Sequence, residues 1–484
     1  FEGHTSIRDE NLDFIFNGLI DFEEDKPRFD FHSRVHRADL AKLQLTDRDS
    51  VSVISTSMNF DFVATSLDDI KGYVKFDSTN YREGSESYFM ENLTLESMQY
   101  EDKQSRLNLF SDFADVNVEG TYAVSSIVNS VKGFLRNYSP NLAGKITAEP
   151  ESGVEQSIDF EIILKETAPL TNLFVPNLEI APKTNLSGNI NLRENTVDIR
   201  ADARWIRYAS LRFKDWQMLA TSNPDNFSTY LGFEKVLVRE ISETDSIGVG
   251  VDSLRIRSDF HNDSLQFRIT WNDLSNRQVN TGDVSGYVFV GEGEYFAAGF
   301  SDATMLFDST AWTVQPGNRI ALEPSGLYFY GLDFTSDTSM FSVQGGISPN
   351  PEDSLVLNFT QLDISHIDQL IPGSKFDVDG VINGDITLIN LQSSPNFLAD
   401  IRMEGLSFNK ERLGILSLKT NWADSLSQLA VDMEVLRKGN LGTSKVISAN
   451  GYYYPADSIR NFDLNIVLQN LGTHIFNPFI NFII

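Results

Sequence analysis

The sequence predicts an all-β protein made of many short antiparallel strands. Apolar and polar residues alternate with a period of two along most of its 484 residues, which is the pattern of strands with one apolar and one polar face. Polar turns separate the strands at intervals of roughly 10 residues, a spacing typical of all-β proteins. We therefore predict an elongated, twisted and curved sheet of meander strands, shaped like a groove or a taco shell, with one amphipathic helix.

The alternation is clearest between residues 376 and 409. The first half of this stretch puts acids such as Asp385 on one face and an apolar series on the other: Phe376, Val378, Ile382, Ile386 and Leu388. After a turn at residues 392–395 the chain returns, with Ile401 facing away from Arg402. Most of the chain repeats this strand–turn–strand unit without an exact period.

One segment has helical periodicity. Between Tyr122 and Tyr138 the apolar residues recur along a single helical stripe, and Ser139 with Pro140 is expected to end the helix. We interpret it as a surface helix packed on the sheet. The alternative is a helix that touches lipid or acts as a gate.

Composition narrows the classes of partner. The chain has 39 Lys and Arg against 68 Asp and Glu, a net charge of −29. Such a surface repels phosphate backbones, so we predict that no nucleic acid binds. The chain as a whole also offers no polybasic patch for anionic membranes.

Residues that carry chemistry are scarce. Cysteine is absent, which excludes disulfides and thiolate chemistry. Only His32 and His36 of the six histidines lie close in sequence, and neither a GxSxG elbow nor a phosphate-binding loop occurs. We predict no catalytic activity, no metal and no cofactor.

The order of these strand patterns resembles a known family. The run from Phe376 to Leu471 resembles the C-terminal, AsmA-like region of the TamB family, the translocation and assembly module subunit, in GVINGDITLINLQSSPNFLADIRMEGLSFN, LGILSLKTNW, LAVDMEV, ISANGYYYP and NFDLNIVLQNL. Upstream segments such as SIRDENLDFIFNGLIDF and MLFDSTAWTVQPGNRIALEPSGLYFYGLDF are similar to its Bacteroidota branch. Each motif is a weak strand pattern, and their order over most of the chain carries the resemblance.

The resemblance implies a bridge-like lipid-transfer protein of the periplasm. Such a protein spans from the inner to the outer membrane of a Gram-negative envelope and moves phospholipid along an apolar β-groove in outer-membrane biogenesis. It also implies a BamA-like or TamA-like outer-membrane barrel as partner, and an N-terminal anchor in the inner membrane outside this sequence. We expect residues 1–484 to be a fragment with one continuous repetitive β-groove, candidate sub-boundaries near 140–182 and 371–376, and a TamB-type region at 376–471.

The sequence is compatible with two folds and with two functions other than lipid transfer. The alternation fits closed β-sandwiches, about three of them by length, as well as one curved sheet with an accessible apolar face. A scaffold or chaperone for barrel assembly, which docks to a barrel or offers sheet edges to nascent strands, is the alternative function. A secreted array of carbohydrate-binding sandwiches is a third interpretation.

If the face holds phospholipid acyl chains, its apolar members line the groove. The candidate lining residues are Ile199, Ala201, Trp205, Phe267, Ile269, Trp271, Ile382, Ile386, Leu388, Ile401, Met433, Leu464 and Ile466.

Overall fold

The predicted all-β class is confirmed. The computed structural model describes residues 1–472 except 24–25, 67, 101–103, 147–155, 243–246, 275–279, 308–309, 366–376, 393–394, 423–427, 440–441 and 456–460. In this part of the chain, 29 strands belong to one antiparallel sheet, most of them paired with the next strand in sequence. Because every strand of the described residues belongs to this one sheet, these residues do not form separate two-sheet sandwiches.

The chain divides into two compact units, Phe1–Asp263 (unit 1) and Ser264–Ile484 (unit 2). The strands of unit 1 are β1 (Glu2–Arg8), β2 (Leu12–Asp21), β3 (Arg28–Asp39), β4 (Ser52–Val63), β5 (Lys71–Glu83), β6 (Glu86–Gln99), β7 (Ser105–Ser111), β8 (Ala114–Thr121), β9 (Ser157–Leu164), β10 (Leu178–Ile180), β11 (Thr184–Asn191), β12 (Thr196–Tyr208), β13 (Leu211–Ser222), β14 (Phe227–Ser242) and β15 (Ile247–His261).

Two features interrupt the meander of unit 1. Strands β8 and β9 pair directly although a helical segment separates them in sequence. The short β10 and the longer β11 both pair with β12, at opposite ends of that strand. Together they occupy one position beside β12, and on the other side β9 pairs with β11.

The strands of unit 2 are β16 (Ser264–Asp273), β17 (Gly282–Val290), β18 (Phe296–Phe307), β19 (Thr310–Val314), β20 (Arg319–Glu323), β21 (Gly326–Ser336), β22 (Ser339–Ile347), β23 (Ser354–Asp363), β24 (Val378–Ile389), β25 (Asn396–Phe408), β26 (Glu411–Trp422), β27 (Leu429–Gly439), β28 (Gly442–Tyr453) and β29 (Phe462–Leu468).

Strands β19 and β20 likewise share one position, between β18 and β21. The buried side chain of Asn318 fills the break between them. Its Oδ1 accepts a hydrogen bond from Phe300 N at 2.7 Å, and its Nδ2 donates to Phe300 O at 2.9 Å and to Gln315 O at 2.7 Å. The side-chain amide therefore satisfies main-chain groups that the interrupted strand leaves open.

The predicted helix is confirmed. A 3₁₀ turn (Val124–Ser126) leads into α1 (Ile127–Tyr138), which ends where Ser139 and Pro140 follow. The sequence analysis missed α2 (Pro140–Lys145) and α3 (Ala168–Phe174). Pro140 ends one helix but starts the next, because proline suits the first helical position, where its missing N–H has no partner to lose; Ser139 Oγ caps α2 by accepting from Leu142 N at 3.2 Å.

The two candidate sub-boundaries differ in whether the structure describes them. Residues 140–182 hold α2, β9, α3 and β10 within unit 1. Residues 371–376 lie outside the described part of the chain.

Candidate functional site

The main candidate site of unit 1 is a row of apolar residues that crosses its strands. Residues directly opposite each other in antiparallel strands point to the same face, and the pairing register links one residue from every strand except β10. The row is Gly3, Gly18, Phe31, Phe60, Val74, Leu95, Leu109, Val116, Ile162, Leu186, Ala201, Met218, Leu231 and Ile256. We call the side of the sheet that carries this row the apolar face of unit 1.

This face is accessible. Except for Ala201, every side chain of the row is partly exposed. Neighbouring rings pack on one another within it: the Phe31 and Phe60 centroids lie 4.7 Å apart, as do those of Phe29 and Phe62. The apolar surface is therefore continuous from strand to strand without being closed off.

The predicted residues of β12 differ in their surroundings. Ala201 lies in the row itself, and Ile199 lies one pair further along, opposite Gly188 and Ala220. Trp205 follows the same alternation, but it lies opposite Lys214, and the Arg212 guanidinium is 6.0 Å from its ring centroid. The structure thus brings two of the three together on apolar surface and places Trp205 where that surface meets charged residues.

Unit 2 carries an equivalent face. One row crosses nine consecutive strands through Phe334, Phe341, Phe359, Gly384, Ile401, Leu418, Met433, Ala449 and Ile466. A second row runs beside it through Leu332, Val343, Leu357, Ile386 and Ala399. A third lies on the other side, through Leu362, Ile382, Met403, Leu416, Val435, Ile447 and Leu468.

These three rows define the apolar face of unit 2 and contain five of the predicted residues, Ile382, Ile386, Ile401, Met433 and Ile466. Leu464 joins the same face through its pairing with Gly451, which in turn pairs with Val431. Exposure varies widely across the face: Ile401 is 4% exposed and Ile466 is 57% exposed. The members assigned to this face from strands β24 to β29 are Ile382, Ile386, Leu388, Ile401, Met433, Leu464 and Ile466.

The three predicted residues of β16 belong to the same packed surface. Ile269 lies opposite Val284, and Phe267 and Trp271 pack against the cluster that also contacts Leu388. Both rings lie over glycines, since Trp271 covers Gly282 and Phe267 covers Gly286. A large ring over a cross-strand glycine is a structural device of sheets, so these two rings have a packing role whatever the face binds.

The largest rings of the unit 2 face are not sealed in a core. The buried members of its cluster are small or medium-sized, such as Ala303 and Val314, while Phe329, Phe334 and Phe341 are only partly buried. Among the described residues, the largest side chains that are fully buried include no Phe and no Trp. A closed two-layer core would bury such rings, so this pattern fits an apolar surface that remains accessible.

The opposite face of the sheet is polar. A row of charged residues crosses four neighbouring strands on this face, in the order Asp385, Asp400, Lys419 and Asp432. Within this row, Lys419 Nζ lies 2.9 Å from Asp400 Oδ2. On β16 the Arg268 guanidinium donates to Asp283; this hydrogen bond raises the pKa of Arg268 and lowers the pKa of Asp283. The two faces therefore differ in chemistry, as the alternation predicted.

Sequence reasoning missed how α1 meets the apolar face of unit 1. Phe227 lies opposite Phe260 at the edge of this face, and the ring centroid of Phe134 lies 5.5 Å from that of Phe227. The hydroxyl of the fully buried Tyr138 donates to Asn195 O at 3.1 Å and to Asn223 O at 2.7 Å. The helical stripe was legible in the sequence, but the strand turns that receive it were not.

Two other features were sought among the described residues, a metal site and a membrane-spanning helix. Among them, no group of three or more His, Asp or Glu side chains is arranged to hold a metal ion. Within the same ranges, no helix is both long and apolar enough to cross a membrane. The clearest chemical feature is therefore the apolar face of each unit.

Comparison with known proteins adds no identification. No family model, no curated protein and no solved structure matches the chain.

Proposed function

We propose that the apolar face of each unit binds phospholipid acyl chains, with the lipid head groups in water. The observation that carries this proposal is the uninterrupted apolar row through fourteen strands of unit 1, nearly all of whose members are partly exposed. A flexible hydrocarbon chain suits such a surface because it needs apolar contact but no particular hydrogen bond. Strands lie ~4.8 Å apart, so one chain contacts several strands, and each buried CH₂ contributes about 0.8 kcal/mol.

The resemblance to the TamB family extends this binding to transport. We propose a periplasmic conduit that moves phospholipid between the inner and outer membranes in support of outer-membrane biogenesis, without catalysis and without a cofactor. A BamA-like or TamA-like barrel is the proposed partner at the outer membrane. The anchor in the inner membrane is proposed from the family alone.

Charge placed on the face tests the proposal. Ile386 lies between Leu357 and Ala399 on unit 2 and is only partly buried. Desolvating a carboxylate costs several kcal/mol, more than the few CH₂ groups that pass one residue can offset. We expect Ile386→Glu to stay folded and to lower photo-cross-linking of acyl chains at Leu388, a partly buried neighbour on the same face, by about tenfold or more. Ile269→Glu on β16 should have the same effect at the positions next to it.

The matched control is on the opposite face of the same strand. Asp385 is exposed and lies opposite Asp400, so Asp385→Lys changes charge without touching the apolar face and should leave cross-linking unchanged. Circular dichroism establishes that each variant is folded, and lipid transport is then measured. Folded Ile386→Glu protein with wild-type cross-linking and transport would exclude acyl binding at this position.

A scaffold for assembly of outer-membrane barrels is the second candidate. It is favoured by β29, which among the described residues pairs only with β28 and carries exposed Phe462, Ile466 and Leu468. Edge strands with exposed apolar residues are sites for strand addition. A stable complex with a barrel protein, formed equally well by Ile386→Glu, would favour this role over the conduit.

A further inference from the structure

Helix α1 has a local charge opposite to that of the protein. Residues 120–148 contain Lys132, Arg136 and Lys145 but no acid, whereas the chain as a whole carries −29. Lys132 and Arg136 stand one turn apart on the same helix, and among the described residues neither has an ion-pair partner. The segment is therefore a cationic site on an acidic molecule.

The apolar stripe of α1 is only partly used by the sheet. Phe134 and Tyr138 pack on Phe227. Val131 lies on the same stripe, one turn before Phe134 and Leu135, yet it is 49% exposed. The apolar stripe is therefore uncovered at Val131, and the flank of the helix next to the stripe carries the two cations.

Hydrogen bonds hold the helix at both ends. At its N-terminal side, Asp68 accepts from Ser125 N at 3.0 Å and from Ser125 Oγ. At its C-terminal side, Asp263 Oδ1 accepts from Ser139 Oγ at 2.7 Å and from Asn141 N at 2.9 Å. Asp68 and Asp263 thus hold the two ends of the helix. These bonds fix the orientation in which α1 presents Val131, Lys132 and Arg136.

We propose that this surface of α1 contacts the head-group region of an anionic phospholipid bilayer. Helices that lie in a membrane interface combine an apolar stripe with Lys or Arg on the polar side. Exposed charges are screened beyond about 8 Å at physiological ionic strength. A contact made through α1 therefore depends on its cations and on the two carboxylates at its ends, Asp68 and Asp263, while distant acids contribute little. This inference concerns the helix surface and holds whether or not the apolar faces bind acyl chains.

Vesicle co-sedimentation of the full chain tests the contact. Wild-type protein should bind vesicles of phosphatidylcholine mixed with phosphatidylglycerol and should bind pure phosphatidylcholine vesicles far less. Added salt should weaken the binding. Lys132→Gln combined with Arg136→Gln should lower partitioning by about 25-fold, the product of about fivefold for each basic residue. Val131→Ser should lower partitioning while preserving its salt dependence.

The control removes two positive charges elsewhere. Lys410 and Arg412 are exposed around the turn between β25 and β26, so Lys410→Gln with Arg412→Gln gives the same change in net charge and should leave vesicle binding unchanged. Ile386→Glu should also bind vesicles normally, which separates this inference from the proposed acyl binding. Wild-type protein that binds no vesicles, or equal partitioning of the α1 variant and the wild type, would overturn the inference.

Discussion

At the residue scale, the polar face of unit 1 contains an unfavourable pair of acids. Asp215 and Glu234 lie between the cross-strand pairs Lys214–Lys235 and Gln217–Gly232. The hydrogen bond with Asp215, and then the negative charge of Asp215, raise the pKa of Glu234 above its ordinary value. A raised carboxyl pKa means that the folded state favours the protonated form, so the contribution of this pair to stability is greatest at low pH and is lost as pH rises through the pKa of Glu234.

We therefore expect Glu234→Gln to stabilise the protein at neutral pH. The gain should be less than about 1 kcal/mol because the pair is largely solvated, and it should disappear as pH falls below the ordinary Glu range, where both forms are uncharged at this position. Thermal melts at neutral and acidic pH measure it. Glu292→Gln, at an exposed turn, is the control, and a stability difference independent of pH would contradict the explanation.

At the scale of elements, Asp68 joins the turn between β4 and β5 to the start of the helical segment. Hydrogen bonds from the Ser125 side chain and backbone lower the pKa of Asp68. A lowered carboxyl pKa stabilises the folded state above the ordinary Asp value, and this stabilisation is lost as pH falls through the depressed pKa.

Asp68→Asn should loosen the N-terminal end of α1 at neutral pH. Amide exchange there should rise by about fivefold, corresponding to a loss of ~1 kcal/mol in hydrogen bonding. The C-terminal end, held by Tyr138 and Asp263, serves as the internal reference. Hydrogen-exchange mass spectrometry checks this, and equal acceleration at both ends would show that the helix opens as one unit instead.

Much of the apolar face could be predicted from alternation alone. Residues such as Ile382 and Ile386 share a face because strand periodicity fixes side-chain direction. Alternation does not report register, so the sequence could not show that Ile401 meets Gly384 or that Trp271 lies over Gly282. Period-two counting also failed on β13, next to the partner of Trp205. Asp215 has φ +46°, and the Phe213 ring lies 5.4 Å from Phe233, although Phe213 pairs with Val236, three residues from Phe233.

Tertiary contacts account for the elements that were missed. The short α3 depends on distant partners, since Arg48 donates to Leu173 O at 2.7 Å and its guanidinium lies 5.2 Å from the Phe174 ring centroid. No local periodicity encodes such contacts. The division of the chain between Asp263 and Ser264 likewise has no change of composition to mark it.

At the scale of the whole molecule, net charge sets a prediction about partners. A charge of −29 repels nucleic-acid phosphates, whose binding depends on cationic contacts. We expect no binding of duplex DNA or of RNA near physiological ionic strength, measured by fluorescence polarisation with a basic DNA-binding protein as positive control. Saturable binding under those conditions would contradict this expectation.

The Asn318 side chain acts as a substitute peptide group. Its amide oxygen and nitrogen exchange two hydrogen bonds with the main chain of Phe300, as an opposed residue of an antiparallel pair would do. Hydrogen bonding along β18 is therefore kept at Phe300, in the gap between β19 and β20. The interruption of a strand and the loss of hydrogen bonding are thus separate events in this sheet, because a single amide side chain takes the place of the missing residue opposite Phe300.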